Sequence, residues 1–283
     1  MTDPQAAPVM IMVAPTGARA LKADNAAIPI TPKEIADEVV RCARAGASIA
    51  HIHARRPDGQ PTQSIEVFRE IVSRIRDKSD IVIQISLGTR GFTVEQAIEP
   101  VVLRPEMVSL PLDSFQRDDP EAHEGVRLMA LHVRSHGVRP ELSVYDAQMM
   151  EGALGLVASG AIDMPAFFGL VVRDPQSMRE GVARLTDLLD RLPQGANWWM
   201  LSGGRYVLEM RALAISLGGH VRIGFEDTLK DFDGERPAPS NAYLVERIAG
   251  LCAALGRPVA TPKDVRAVLE QRASQPPTPT QVS

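Results

Sequence analysis

Eight times along the chain a short apolar run is followed by a longer stretch in which apolar residues return every three or four positions. The short runs are residues 9–14, 48–53, 80–86, 107–112, 139–145, 164–171, 197–201 and 219–224. Their length suits strands rather than helices, and their near-continuous apolar character suits strands covered on both faces. The longer stretches carry helix punctuation. In the first, Thr31 is placed to cap, Pro32 fits the first helical position and Glu34 completes a capping box. Ile35, Val39, Cys42 and Ala43 then form one stripe, and Gly46 ends it. Further helices are predicted over 63–76, from about Thr93, and over 119–135, 146–158, 175–192, 205–217 and 240–255.

Strands alternating with helices build a parallel sheet with helices outside it, either open and doubly wound or closed into a barrel. The segment after the first strand, VAPTGARA, lacks the G-x-G-x-x-G of a dinucleotide-binding open sheet, and no P-loop occurs. Eight pairs without a linker predict a single (β/α)8 TIM barrel over residues 1–273, a size that such barrels reach as one unit. The end of the chain, SQPPTPTQVS, has almost nothing to bury, so 274–283 is expected to be a polar, flexible tail.

Composition narrows the function. A net charge of -4 with scattered basic residues gives no footprint for nucleic acid or an anionic membrane. No segment approaches the roughly eighteen apolar residues of a membrane span, and the opening MTDPQAAP lacks the features of a signal peptide. The two cysteines, Cys42 and Cys252, lie in helical patterns, which argues against a disulfide framework and a cysteine zinc site. A soluble, cytoplasmic protein is expected.

In such barrels the active site lies at the C-terminal ends of the strands. The second strand ends in His51-Ile52-His53, and strand periodicity sends both imidazoles to one side. The pair can chelate a metal or serve as ordinary packing and hydrogen-bonding groups. A catalytic zinc takes three protein ligands and keeps one position open. The best third candidate follows the eighth strand, in Arg222-Ile223-Gly224-Phe225-Glu226-Asp227, because the eighth strand of a closed barrel neighbours the first. Glu226 is suited to be a ligand and Asp227 a base or orienting group; alternatively, the two acids cap a helix. Arg222 should point inward and would then need an anionic partner, Asp227 or a substrate carboxylate. Ser86 and Ser109 add polar groups at other strand ends, and Ser202-Gly203-Gly204-Arg205 offers a further turn. No G-x-S-x-G and no strand-end cysteine supplies a nucleophile, so the chemistry should fall to a metal and a carboxylate base.

Several segments together are similar to the β-keto acid cleavage enzymes, the family typified by 3-keto-5-aminohexanoate cleavage enzyme. They include APTGA (14–18), IPITPKEIA (28–36), AGASIAHIHAR (45–55), IVIQIS (81–86), RPEMVSL (104–110), PELSVYDAQM (140–149) and GGHVRIGFEDTL (218–229). SNAYLV (240–245) and GRPVATP (256–262) follow, so the resemblance runs from about residue 8 to residue 270. It implies a Zn²⁺-dependent barrel, another divalent metal being possible. Such an enzyme converts a β-keto acid and acetyl-CoA into acetoacetate and a new acyl-CoA, as a homotetramer or dimer. By position it implies His51, His53 and Glu226 as metal ligands, Ser86 and Ser109 as substrate-binding positions, and Arg222 and Asp227 as the catalytic Arg and Asp. In the implied chemistry the metal acidifies the CH₂ between carboxylate and ketone, Asp227 takes the proton, and a retro-Claisen step follows.

The chain departs from that pattern twice. Relatives acting on amino-bearing keto acids carry an acid after the T-G-A of the first loop, where Arg19 stands here. Arg19 would repel an ammonium and favour a distal carboxylate, as in 3-oxoadipate or 3-oxoglutarate, or else face solvent or a loop acid. Ser86-Leu87-Gly88-Thr89 replaces the family's Ser-Thr-Gly-Gly, and Thr89 is expected to narrow the substrate pocket. Two rivals remain, an amidohydrolase-type hydrolase and a non-catalytic metal-binding barrel. The first expects its His pair on the first strand and two further strand histidines. Of His123, His132, His136 and His220, only His220 lies on a strand, at the wrong end.

Overall fold

In the computed structural model, which describes residues 7–88, 91–116 and 119–271, every one of the eight apolar runs becomes a barrel strand. They are β1 (Ile11–Val13), β2 (Ile49–Ile52), β3 (Val82–Ser86), β4 (Met107–Leu110), β5 (Arg139–Val144), β6 (Phe167–Val172), β7 (Asn197–Ser202) and β8 (His220–Ile223). Each is parallel to the next, and β8 closes on β1 with Ile11 opposite Val221. The helices outside are α1 (Pro32–Arg44), α2 (Ile65–Arg76), α3 (Val94–Ile98), α4 (Pro120–Ser135), α5 (Ala147–Ala158), α6 (Met178–Asp190), α7 (Val207–Ser216) and α8 (Asn241–Ala254). This is the TIM-barrel fold. The expected tail, 274–283, lies outside the described residues.

Local chemistry sets the boundaries. Thr31 accepts from the Glu34 N–H while the Glu34 carboxylate accepts from the Thr31 N–H, so the predicted capping box starts α1. β6 begins at Phe167 rather than 164, since Pro165 has no N–H to give a ladder. α6 begins at Met178 rather than 175, because the Ser177 hydroxyl accepts from the Glu180 N–H and fixes the start there. α2 starts at Ile65 under the Ser64 cap, and Gln63, expected inside that helix, instead donates to the carbonyls of Ser86 and Gly88.

Besides the short 3-10 turns Glu99–Leu103 and Asp113–Gln116, two elements go beyond the expected set. A two-stranded antiparallel ribbon, Ala54–Arg55 with Pro61–Thr62, extends β2 above the barrel. A ninth helix, α9 (Pro262–Leu269), is capped by Thr261 and plugs the bottom. Its Val265 and Leu269 pack with Met10, Met12, Ile49, Val82, Met107, Phe167 and Trp199 inside the barrel. Above that apolar plug the lining turns polar, with buried His51, Gln84, Ser86, Glu141 and Arg222. The apolar floor supplies the burial that positions this polar layer.

Candidate active site at the C-terminal ends of the strands

The site forms where β8 meets β1. Gly224, at φ 149°, lets the chain leave β8 so near β1 that a Cβ there would stand 2.2 Å from the Ala14 carbonyl oxygen. The Glu226 N–H then donates to that same oxygen at 3.2 Å. Asn241, at the start of α8, accepts from the Phe225 N–H at 2.8 Å and donates to the Pro15 carbonyl at 3.1 Å. These bonds hold the first and last strand-to-helix loops together and aim Glu226 across the barrel mouth. Gly17 completes the fit, since a Cβ there would sit 2.7 Å from Glu226 Cγ. Asp227 caps no helix, because the next helix, α8, starts at Asn241 with Ser240 as its cap.

His51, His53 and Glu226 converge. Glu226 Oε2 is 3.4 Å from Nε2 of each histidine, and the three donor atoms lie within 4.8 Å of one another. Glu226 Oε2 is buried without a hydrogen-bond partner. A tetrahedral ion with bonds of about 2.0–2.1 Å spaces its ligands by about 3.3 Å, so the observed spacing suits one. An orphaned buried carboxylate oxygen between two imidazole nitrogens therefore fits a divalent metal with three protein ligands and an open position. Burial holds the His51 imidazole neutral, lowering its pKa to about 3, with the charges of Arg222 and His53 acting the same way against Glu226. Burial opposes ionisation of Glu226, but Arg222, His53 and His51 keep it well below the usual carboxylate range.

Arg222 points inward and meets both acids. It binds Asp227 through two nitrogens, Nη2 to Oδ1 at 2.6 Å and Nε to Oδ2 at 3.1 Å, and donates to Glu226 Oε1 at 3.0 Å. Behind it lies Arg211, wholly buried, which donates to the Arg222 carbonyl at 2.6 Å and the Ser202 hydroxyl at 2.7 Å. Arg211 Nη2 also stands 3.8 Å from Asp227 Oδ2. The turn after β7 is thus partly committed to holding Arg211. Ser86 and Ser109 lie opposite each other on β3 and β4 at the rim, with Glu141 next to Ser109 on β5.

Arg19 is exposed and makes no ion pair or side-chain hydrogen bond among the described residues. It lines a cavity of about 940 Å³ with Pro111, Tyr145 and Arg173, beside but not including the histidines. Thr89 falls outside the described residues.

Arg55 and Gln84 also belong here and escaped the sequence reading. Arg55 is buried on the ribbon after His53 and donates to the carbonyls of Gly17, Ala20 and Gly59, which pins the loop carrying Arg19. The only advance signal was its place two residues past the His pair. Gln84 Oε1 lies 2.6 Å from His51 Nδ1.

An amidohydrolase-type site is not assembled. The His220 Nδ1 accepts from the Met10 N–H at 3.1 Å at the bottom of the barrel. His132 and His136 face each other on α4, and His123 Nε2 bonds the Ser114 carbonyl.

A TIM barrel with two histidines and a carboxylate converging at its catalytic end defines the class as a barrel enzyme with a candidate metal site. The chain belongs to the β-keto acid cleavage enzyme family, which it matches over residues 8–270. It is 36% identical over 267 residues to the 3-keto-5-aminohexanoate cleavage enzyme of Fusobacterium nucleatum, covering 92% of this chain and 97% of that one. It is 34% identical over 271 residues to the 3-oxoadipate:acetyl-CoA acetyltransferase of Cupriavidus necator, covering 93% and 94%. Among solved structures, the complex of ObcA with oxaloacetate shares the fold at a TM-score of 0.70 with 20% identity, over 87% of this chain and 68% of that one.

Proposed function

We propose that this protein is a zinc-dependent, cytoplasmic β-keto acid cleavage enzyme that uses acetyl-CoA and prefers a keto acid with a distal carboxylate. The observation that carries the reading is the unpartnered Glu226 Oε2 between two imidazoles, with Asp227 clamped alongside by Arg222. His51, His53 and Glu226 would hold the metal, and when bound it supplies a Lewis acid at the keto oxygen. The chain's own groups do the rest. Asp227, held by Arg222 and Arg211, takes a proton from the carbon between the carboxylate and the ketone. That carbon displaces the CoA thiolate from the acetyl thioester. The thiolate then attacks the original keto carbon, the bond to the central carbon breaks, and Asp227 returns the proton to acetoacetate. Carbon, charge and proton balance without a covalent enzyme intermediate, in keeping with a site that has no nucleophile motif.

Similar identity to an amino-keto-acid enzyme and an oxoadipate enzyme leaves the acyl chain to be chosen by side chains. Arg19 supports the dicarboxylate: it makes no ion pair among the described residues and, with Arg173, lines the cavity at the strand ends, whose lining also holds Asp113, Asp119 and Glu121. A shielded Arg–carboxylate pair contributes about 1.5–3 kcal/mol. Residues 1–273 would act as one catalytic domain in a homodimer or homotetramer, which light scattering would read directly.

The test is a substrate screen of metal-loaded protein with acetyl-CoA, following acetoacetate, with 3-oxoadipate, 3-oxoglutarate, 3-oxohexanoate and 3-keto-5-aminohexanoate. Fastest turnover of the dicarboxylates is expected. Preference for the amino or neutral acid keeps the reaction and removes the role given to Arg19; silence across the panel with metal present removes both.

A further inference from the structure

Among the described residues Gln84 is the one amide inside the polar layer, and its neighbours fix which way it points. It lies directly opposite His51 in the β2–β3 ladder, so both side chains enter the barrel at the same level. Gln84 is fully buried and His51 is 2% exposed, so no solvent competes for either. The Gln84 Oε1 stands 2.6 Å from His51 Nδ1, while its amide N–H groups turn toward the Glu141 carboxylate, as does the Trp199 indole N–H, without either reaching full hydrogen-bond geometry. The indole N–H and the Ser143 hydroxyl, 2.6 Å from Glu141 Oε1, both treat Glu141 as an acceptor. A flipped amide would turn its oxygen at that acceptor and its N–H₂ at His51, so the surroundings select one orientation.

We propose that Gln84 is a positioning residue that holds the His51 proton on Nδ1, leaving the Nε2 lone pair aimed at the pocket shared with His53 and Glu226. This rests on the metal-site reading above. Imidazole ligands commonly give their second N–H to a carboxylate or carbonyl, which fixes tautomer and ring orientation. Here the acceptor is a neutral amide, and it adds no negative charge behind the ligand set. The tie also explains why β3 carries a glutamine in the middle of an otherwise apolar run: its partner is one strand away on β2.

The experiment uses the full-length protein, with Gln84→Met removing the acceptor at near-constant length and Gln84→Glu restoring an oxygen at the same place. Competition with a chromophoric chelator should show Zn²⁺ affinity about 10–100-fold weaker in Q84M, with Q84E recovering most of it. Nitrogen-15 spectra of histidine-labelled, metal-free wild type should show His51 protonated at Nδ1, and Q84M should show a tautomer mixture. Wild-type affinity in folded Q84M, a Q84E affinity no better than that of Q84M, or a wild-type Nε2–H tautomer overturns the proposal. Should Q84M not fold, the wild-type spectrum and Q84E decide. A wild type that takes no metal yet shows Nδ1–H keeps the role of Gln84 and removes the metal reading alone.

Discussion

Replacing Arg222 by methionine removes the one cation that, among the described residues, touches both acids of the site. Its side chain and that of Asp227 are each 3% exposed, and it makes three contacts of 2.6–3.1 Å to the two carboxylates. Breaking a buried pair by deleting one partner costs about 3–5 kcal/mol, because the remaining charge stays buried. Arg211, 3.8 Å from Asp227, remains to offset part of that charge, which sets the expectation near 3 kcal/mol. For a chain of this size that corresponds to a fall in Tm of about 5 °C. Differential scanning calorimetry in chelator, at fixed protein concentration, would read it. Because the pair is out of solvent, the loss should change little between 0.05 and 0.5 M salt, about a threefold change in screening length. Adding Zn²⁺ should then stabilise R222M more than wild type, since a divalent cation beside Glu226 replaces the missing charge. A Tm within 2 °C of wild type in chelator, or an equal response of both proteins to metal, would refute the argument that Arg222 is the counter-charge of the two acids.

Below the site, His220 gives a pH prediction. Burial first, and the charge of Arg257 second, lower its pKa to about 3, and its Nδ1 accepts from the Met10 N–H. A folded-state pKa below the unfolded value of about 6.5 means that its contribution is complete above pH 6.5 and is lost as pH falls toward 3. Between pH 7 and 5 this single group should cost about 2 kcal/mol, and urea titrations of His220→Asn, which keeps an acceptor but does not titrate, should show a flatter acid limb by that amount. Leu269→Ala, in the plug helix, should cost about 2 kcal/mol by calorimetry and leave kcat and KM unchanged, because the floor carries stability and the rim carries chemistry. Arg19→Glu should lower kcat/KM for a dicarboxylic keto acid about tenfold to a hundredfold and raise it for the amino-bearing one, read in the acetoacetate assay.

The fold was legible because each strand-helix unit states its own period, and a closed barrel is what eight such units in parallel can form without an edge. The plug helix was not, although Thr261, Pro262 and Asp264 repeat the signals of α1, because it follows no strand and the alternation gives it no place. Of the site, the groups at strand ends could be read: two histidines at spacing two, and the acids beyond β8. Arg211 and Arg55 could not be assigned partners. Arg211 does sit on the buried stripe of α7 with Val207, Met210, Ala214 and Ile215, so a charge on an apolar face was visible, but its acceptors are the carbonyls of Arg222 and Val207 and both oxygens of Ser202. Acceptors that are main-chain carbonyls leave no mark in a sequence.

Those hidden arginines bear on the substrate. Arg55, Arg211 and Arg222 bring three buried guanidiniums to the rim, and the first of them bonds only carbonyls and the Thr16 hydroxyl. Against them stand Glu226, Asp227 and Glu141, whose pKa burial raises. The buried guanidiniums thus offset the buried acids, and a divalent ion at His51, His53 and Glu226 would add positive charge to the lining. Charges in a low-dielectric cleft act over longer distances than in water. With such an ion bound, the lining would favour a substrate that arrives as an anion and a transition state in which negative charge builds at the keto oxygen. The cavity at the mouth carries Arg19 and Arg173 beside Asp113, Asp119 and Glu121, and Arg19 stands where the resemblance places an acid. On the function proposed above, the loop arginine and a bound ion would act in the same direction, toward a β-keto acid that carries negative charge at both ends.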